Sequence, residues 1–215
     1  MFQPHHVMAP AQAHTLAAMA AADGSARDPW LAALTASGAR TRDLADAVHS
    51  VCALHGEHPG LLDQALARAG ADAPAWLARA ARCFTAERAY VARLVSAAGP
   101  IPSTPGQHES EAAVAGQRHA FDMLVRSDRA GCALGAAAAL VLDWRAVRRV
   151  LDAAAHRFGV PVAATALPED DAVLAEPPAS RAAERAQAFA AQQVLAQHRG
   201  LWRLLETRAS AREHC

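Results

Sequence analysis

Lysine and asparagine are absent from this 215-residue chain, and isoleucine and tyrosine occur once each, as Ile101 and Tyr90. Without lysine there is no amine for P-loop, Schiff-base or protein-kinase chemistry. All 21 basic residues are therefore arginine, and 21 acids balance them to a formal net charge of zero. That balance excludes the basic excess of a dedicated nucleic-acid binder. Aromatics make up only 5% of the chain, which leaves little to cover the faces of a sheet. The four cysteines (Cys52, Cys83, Cys132 and Cys215) form no CxxC or zinc-type spacing. Neither a GxGxxG nor a GxSxG motif occurs, so a dinucleotide loop and a nucleophile elbow are both missing. The most apolar run, Ala130 to Leu142, lies between Arg129 and Asp143. It is shorter than the ~20 residues that span a bilayer. No arginine precedes the N-terminal apolar stretch, and Gln12, His14 and Thr15 interrupt it. The expectation is a cytoplasmic protein without a signal peptide.

Alanine is what the chain has in abundance, at 59 positions. It is the best helix former because it loses no side-chain entropy, and it lets helices approach closely. The expected fold is all-α. Glycine, proline and capping residues divide the pattern into short N-terminal helices, four main helices over 41–56, 73–98, 107–127 and 131–158, and a last helix from about 179. This reads as an antiparallel four-helix-type bundle core over 41–158, preceded by a loosely packed segment over 1–40. A linker over 159–179 and a C-terminal helix over 180–215 follow. That last helix is expected to pack on the bundle or to serve self-association or an unknown protein partner.

At about 100° per residue, four polar residues interrupt apolar stripes: His55, Glu87, Gln117 and Asp143. Counting from the helix ends puts Glu87, Gln117 and Asp143 near one layer. Two carboxylates and an amide there cost several kcal/mol (roughly) unless they are paired, protonated or bound to something. An arginine partner is one solution; a metal or a small ligand is the other. Asp46 with His49, and His119 with Asp122, have ligand-like spacing but fall on polar faces, where solvation is expected. Arg145, Arg148 and Arg149 read as a solvated outer ridge. His55-Gly56-Glu57-His58 reads as a helix end with a capping role.

A helical bundle with inward Glu87 and Asp143 resembles the ferritin-like group. That resemblance implies an iron or manganese centre with Glu87, Asp143 and His55 as ligands and Gln117 in the ligand layer. The group's Glu-x-x-His motif is not present: Tyr90 stands three residues after Glu87, and Ala146 three after Asp143. The overall texture also resembles protein families of high-GC alphaproteobacteria, which implies no activity. With no complete catalytic motif, no catalytic residue or cofactor is assigned. The expected function is a non-catalytic interaction or structural role, the alternative a metal- or small-ligand-binding bundle.

Overall fold

The computed structural model describes residues 10–175 and 177–214. Cys215 and the first nine residues of the expected N-terminal segment lie outside the described residues. Nine α-helices and no strand occur among the described residues. They are α1 (Pro10–Asp23), α2 (Pro29–Thr35), α3 (Thr41–His55), α4 (Leu61–Ala69), α5 (Ala75–Ala98), α6 (Gln107–Arg126), α7 (Cys132–Phe158), α8 (Asp170–Leu174) and α9 (Arg181–Glu213). Among the described residues, no helix is long and apolar enough to cross a membrane.

The helix that organises the fold is α7, which touches every other helix. Its residues Gly135 to Val141 are all buried, and a helix apolar around its whole circumference belongs inside the protein. Its most extensive pairing is with α9. A Cβ at Gly135 would sit 2.3 Å from the Gln187 carbonyl oxygen, so glycine is what lets the two backbones meet there. Buried Ala186, Ala190 and Ala191 continue the close face along α9. The four main helices exist, but an antiparallel four-helix frame omits this pairing, the largest in the molecule.

Three segments of the expected organisation pack differently from the expectation. The described part of the N-terminal segment is packed rather than loose, because Leu31 and Leu34 are buried and Asp28 caps α2 by accepting from Trp30 N at 2.9 Å. The 159–179 stretch is more than a linker: Val173 of α8 is buried, and the Ala163 carbonyl accepts a hydrogen bond from Arg148. The apolar face of α9, with Val194, Leu201, Trp202 and Leu205, is used inside this chain. It is therefore not a free surface for self-association.

Candidate functional site

A chain of buried polar side chains crosses the centre of the molecule. Asp143, on α7, accepts from Ser25 N at 2.7 Å and from Ser25 Oγ at 2.5 Å. On its other side His198 Nδ1, from α9, lies 2.6 Å from Asp143 Oδ2. His198 Nε2 then meets His55 Nε2 at 3.0 Å, at the end of α3. Trp202 Nε1 donates to Ser25 Oγ at 2.8 Å and closes the far end. Ser25 stands in a single 3-10 turn between α1 and α2, and Gly24 brings that turn in. A Cβ at Gly24 would lie 2.7 Å from Asp143 Oδ1.

Two ring nitrogens 3 Å apart need one donor and one acceptor, and that fixes the proton arrangement. With both rings neutral, His198 donates Nδ1–H to Asp143 and accepts from His55 Nε2–H. The free His55 Nδ1 is then an acceptor. One extra proton on His198 reverses the bond, and His55 Nδ1 then carries the hydrogen. Burial, followed by the proximity of His198, holds the His55 pKa well below the ordinary imidazole value. For Asp143, burial pushes the carboxyl up, but the bonds from His198 and Ser25 outweigh it and hold it below the ordinary value.

Both groups tie stability to pH in the same direction. Below about pH 6.5 an unfolded histidine takes up a proton that buried His55 refuses. The unfolded state then binds more protons, so stability falls with pH from there down to the folded pKa of His55. Asp143 adds stability that is full above about pH 3.9 and is lost as pH falls through its lower folded value. The melting temperature is expected to fall between pH 7 and pH 5, and less steeply in His55→Phe. Equal slopes in the two proteins would show that His55 titrates as a solvated histidine.

Glu87 belongs to a second cluster on the other side of Trp144. Trp144 Nε1 donates to it at 3.0 Å, and Arg148 Nη1 reaches both carboxylate oxygens at 2.9 Å. Arg148 also donates from Nε to Asp152 at 2.7 Å and lies 4.3 Å over the Tyr90 ring, whose hydroxyl donates to Asp152 at 2.9 Å. The outer ridge expected on α7 is thus split. Arg145 is exposed, with Glu169 and Asp170, while Arg148 is buried as the partner of Glu87. Gln117 joins neither cluster; it is half-buried and donates to the Gln197 carbonyl at 3.0 Å.

The expected metal ligands Glu87, Asp143 and His55 do not converge. Glu87 is committed to Arg148 and Trp144, while Asp143 and His55 are held apart by His198, which bonds to both. Among the described residues, no group of three or more His, Cys, Asp or Glu is arranged to hold a metal ion. Nor is His55 a cap: it is buried against Phe84, Phe121 and Trp144, with its ring stacked 5.5 Å from that of Phe121. Asp46 is also corrected, from a solvated face to complete burial. Arg208 grips it through Nε and Nη2 at 2.9–3.1 Å, and Arg212 adds a bond at 2.6 Å.

His55 also lines a cavity of about 130 Å³ at the outer end of the polar chain. Phe84, Phe121 and Leu140 are among its apolar lining, and Gln64, Arg118 and Asp122 among its polar lining. At the mouth Arg118 pairs with Glu57, and Gln64 Nε2 donates to Asp122 at 3.1 Å. His55 Nε2 is committed to His198, so Nδ1 is the atom this ring can offer a ligand. The residues that sequence reasoning missed are His198 and Ser25. His198 falls at helical spacing between Val194 and Leu201, which is a readable signal; Ser25 stands in a segment without periodicity and gives none.

No curated protein and no solved structure matches the chain. One family model does, across residues 20–213. The chain belongs to DUF6975, a family of unknown function.

Proposed function

We propose that this protein binds a small, uncharged, hydroxylated molecule in the cavity over His55. The observation that carries this reading is the polar chain itself, which runs from Ser25 through Asp143 and His198 and ends on a ring bordering that cavity. Packing alone does not call for such a chain, since buried polar groups stabilise less than well-packed apolar ones of the same shape. Its effect is to orient His55 and leave one nitrogen for a ligand. A hydroxyl suits that nitrogen in either proton arrangement, because it both donates and accepts. The charges at the mouth disfavour an anion: Arg118 is matched by Glu57, and Asp122 adds a negative charge. The volume suits a body of about six heavy atoms, since a cavity of about 150 Å³ accommodates benzene. This reading keeps the small-ligand alternative raised by the sequence and moves its site from the Glu87, Gln117 and Asp143 layer to His55.

Cyclohexanol is a probe of this size and chemistry. Titrated into protein carrying 15N-labelled histidine, it is expected to shift the His55 ring resonances saturably. His55→Phe, which keeps the stack on Phe121, is expected to abolish the response. A response that survives His55→Phe, or His55 resonances that never move, would overturn the proposal.

A further inference from the structure

A second cavity, of about 160 Å³, follows the His55 cavity along the same seam between α3 and α6. On α3, Ser50 and Ala53 border the second cavity, while Leu54 and His55 border the first. On α6 the order runs the same way: Val114 and Ala115 border the second, Phe121 and Asp122 the first. Arg118 lines both, one helical turn from Val114 and one from Phe121. An ion pair with Glu57 holds it there, and the two side chains are 41% and 68% exposed. An exposed pair of this kind is weak and opens readily. The surface of the second cavity is mainly apolar, with Ala53, Ile101, Val114 and Leu204 among its walls. Two polar side chains at its border are turned to the backbone. His49 Nε2 donates to the Gly99 carbonyl at 2.8 Å, and Ser110 Oγ donates to the Gly106 carbonyl at 2.9 Å. A hydrocarbon chain is a better match for that space than a polar group, which would lose its water there.

We propose that the two cavities together hold one neutral amphiphile, an alcohol whose hydroxyl meets His55 Nδ1 and whose alkyl tail runs past Arg118 into the second cavity. The proposal rests on the reading of the His55 cavity as a hydroxyl site, and it names the class of ligand. Val114 and Phe121 stand about 10 Å apart along α6 at 1.5 Å per residue, the reach of a medium-length alkyl chain. The second cavity adds room for roughly one more benzene-sized body. Charge separates an alcohol from a fatty acid. Asp122 borders the first cavity and Glu111 the second, and each repels a carboxylate. Arg118 does not offset them, because Glu57 already engages it.

Each cavity has its own reporter for the test. The 15N-labelled ring of His55 reports on the first, and the 13C-labelled methyls of Ile101, the only isoleucine in the chain, report on the second. Cyclohexanol is expected to move His55 alone. 1-Octanol should move both reporters with one common dissociation constant. Each methylene beyond 1-butanol should tighten binding by up to about fourfold. Octanoate should bind at least about tenfold more weakly than 1-octanol, since Asp122 and Glu111 both oppose it. Ala53→Trp fills the second cavity from an exposed position of α3. It should reduce 1-octanol to the affinity of 1-butanol while keeping the cyclohexanol response at His55, which also shows that the variant is folded. Suppose cyclohexanol moves His55 but 1-octanol binds no tighter than 1-butanol, or the two reporters titrate with different constants. The cavities then act separately, and this proposal fails while the hydroxyl site stands. Octanoate binding as tightly as 1-octanol, or full 1-octanol affinity in Ala53→Trp, would overturn it as well. If no alcohol moves His55, the hydroxyl site itself is wrong and this proposal falls with it.

Discussion

Replacing Gly135 with valine is expected to lower the melting temperature by about 6–12 °C, the equivalent of ~3 kcal/mol in a chain of this size. Two effects oppose one another at this position. Removing a glycine from a helix interior gains up to about 1 kcal/mol of helix propensity. The new Cβ, however, would stand 2.3 Å from the Gln187 carbonyl oxygen and 2.4 Å from its Cα. Both atoms are backbone, and they cannot rotate away as the end of a side chain would. The only relief is to push α9 off α7, which loosens the largest helix pairing in the molecule and the Asp143–His198 bond that bridges it. Gly116 on α6 provides the control, since a Cβ there would meet nothing within 4 Å. Gly116→Ala should therefore raise the melting temperature slightly. Parallel thermal melts check both signs, and an unchanged melt for Gly135→Val would mean that the two helices are not in backbone contact.

Glu87→Ala should cost roughly 3–5 kcal/mol, because it leaves the buried Arg148 charge without its fully buried carboxylate partner. Arg148 and Glu87 are 8% and 2% exposed, so water cannot easily replace the lost carboxylate. Trp144 Nε1 would lose its acceptor as well. Glu87→Gln should cost less, since the amide keeps one carbonyl for Arg148 or Trp144. The double change Glu87→Leu with Arg148→Met should recover most of the loss, because replacing a whole buried ion pair by apolar groups is often neutral. Asp152, the remaining partner of Arg148, is one-third exposed and can turn to water. Melts of the single and double variants test this, and a Glu87→Ala protein that melts like the parent would show that Arg148 is solvated.

The sequence by itself determined the helical class, because an alanine-rich chain poor in β-branched and aromatic residues has little else to form. It also determined where the main helices stop, since glycine and proline act through local backbone geometry: Gly99-Pro100 ends α5, and Gly159 ends α7. The inward polar residues His55, Glu87 and Asp143 were legible for a similar reason. Each interrupts the apolar stripe of its own helix, and a stripe is a property of one helix alone. What covers that stripe is not. Arg148 reaches Glu87 from another helix, His198 comes to Asp143 and His55 from α9, and Ser25 arrives on a turn with no period to read. Asp46 looked solvated because nothing on α3 shows that Arg208 and Arg212, more than 160 positions later, fold over it. Only the tertiary structure decided these pairings. They depend on which backbones approach closely enough to exclude water, as α7 and α9 do at Gly135.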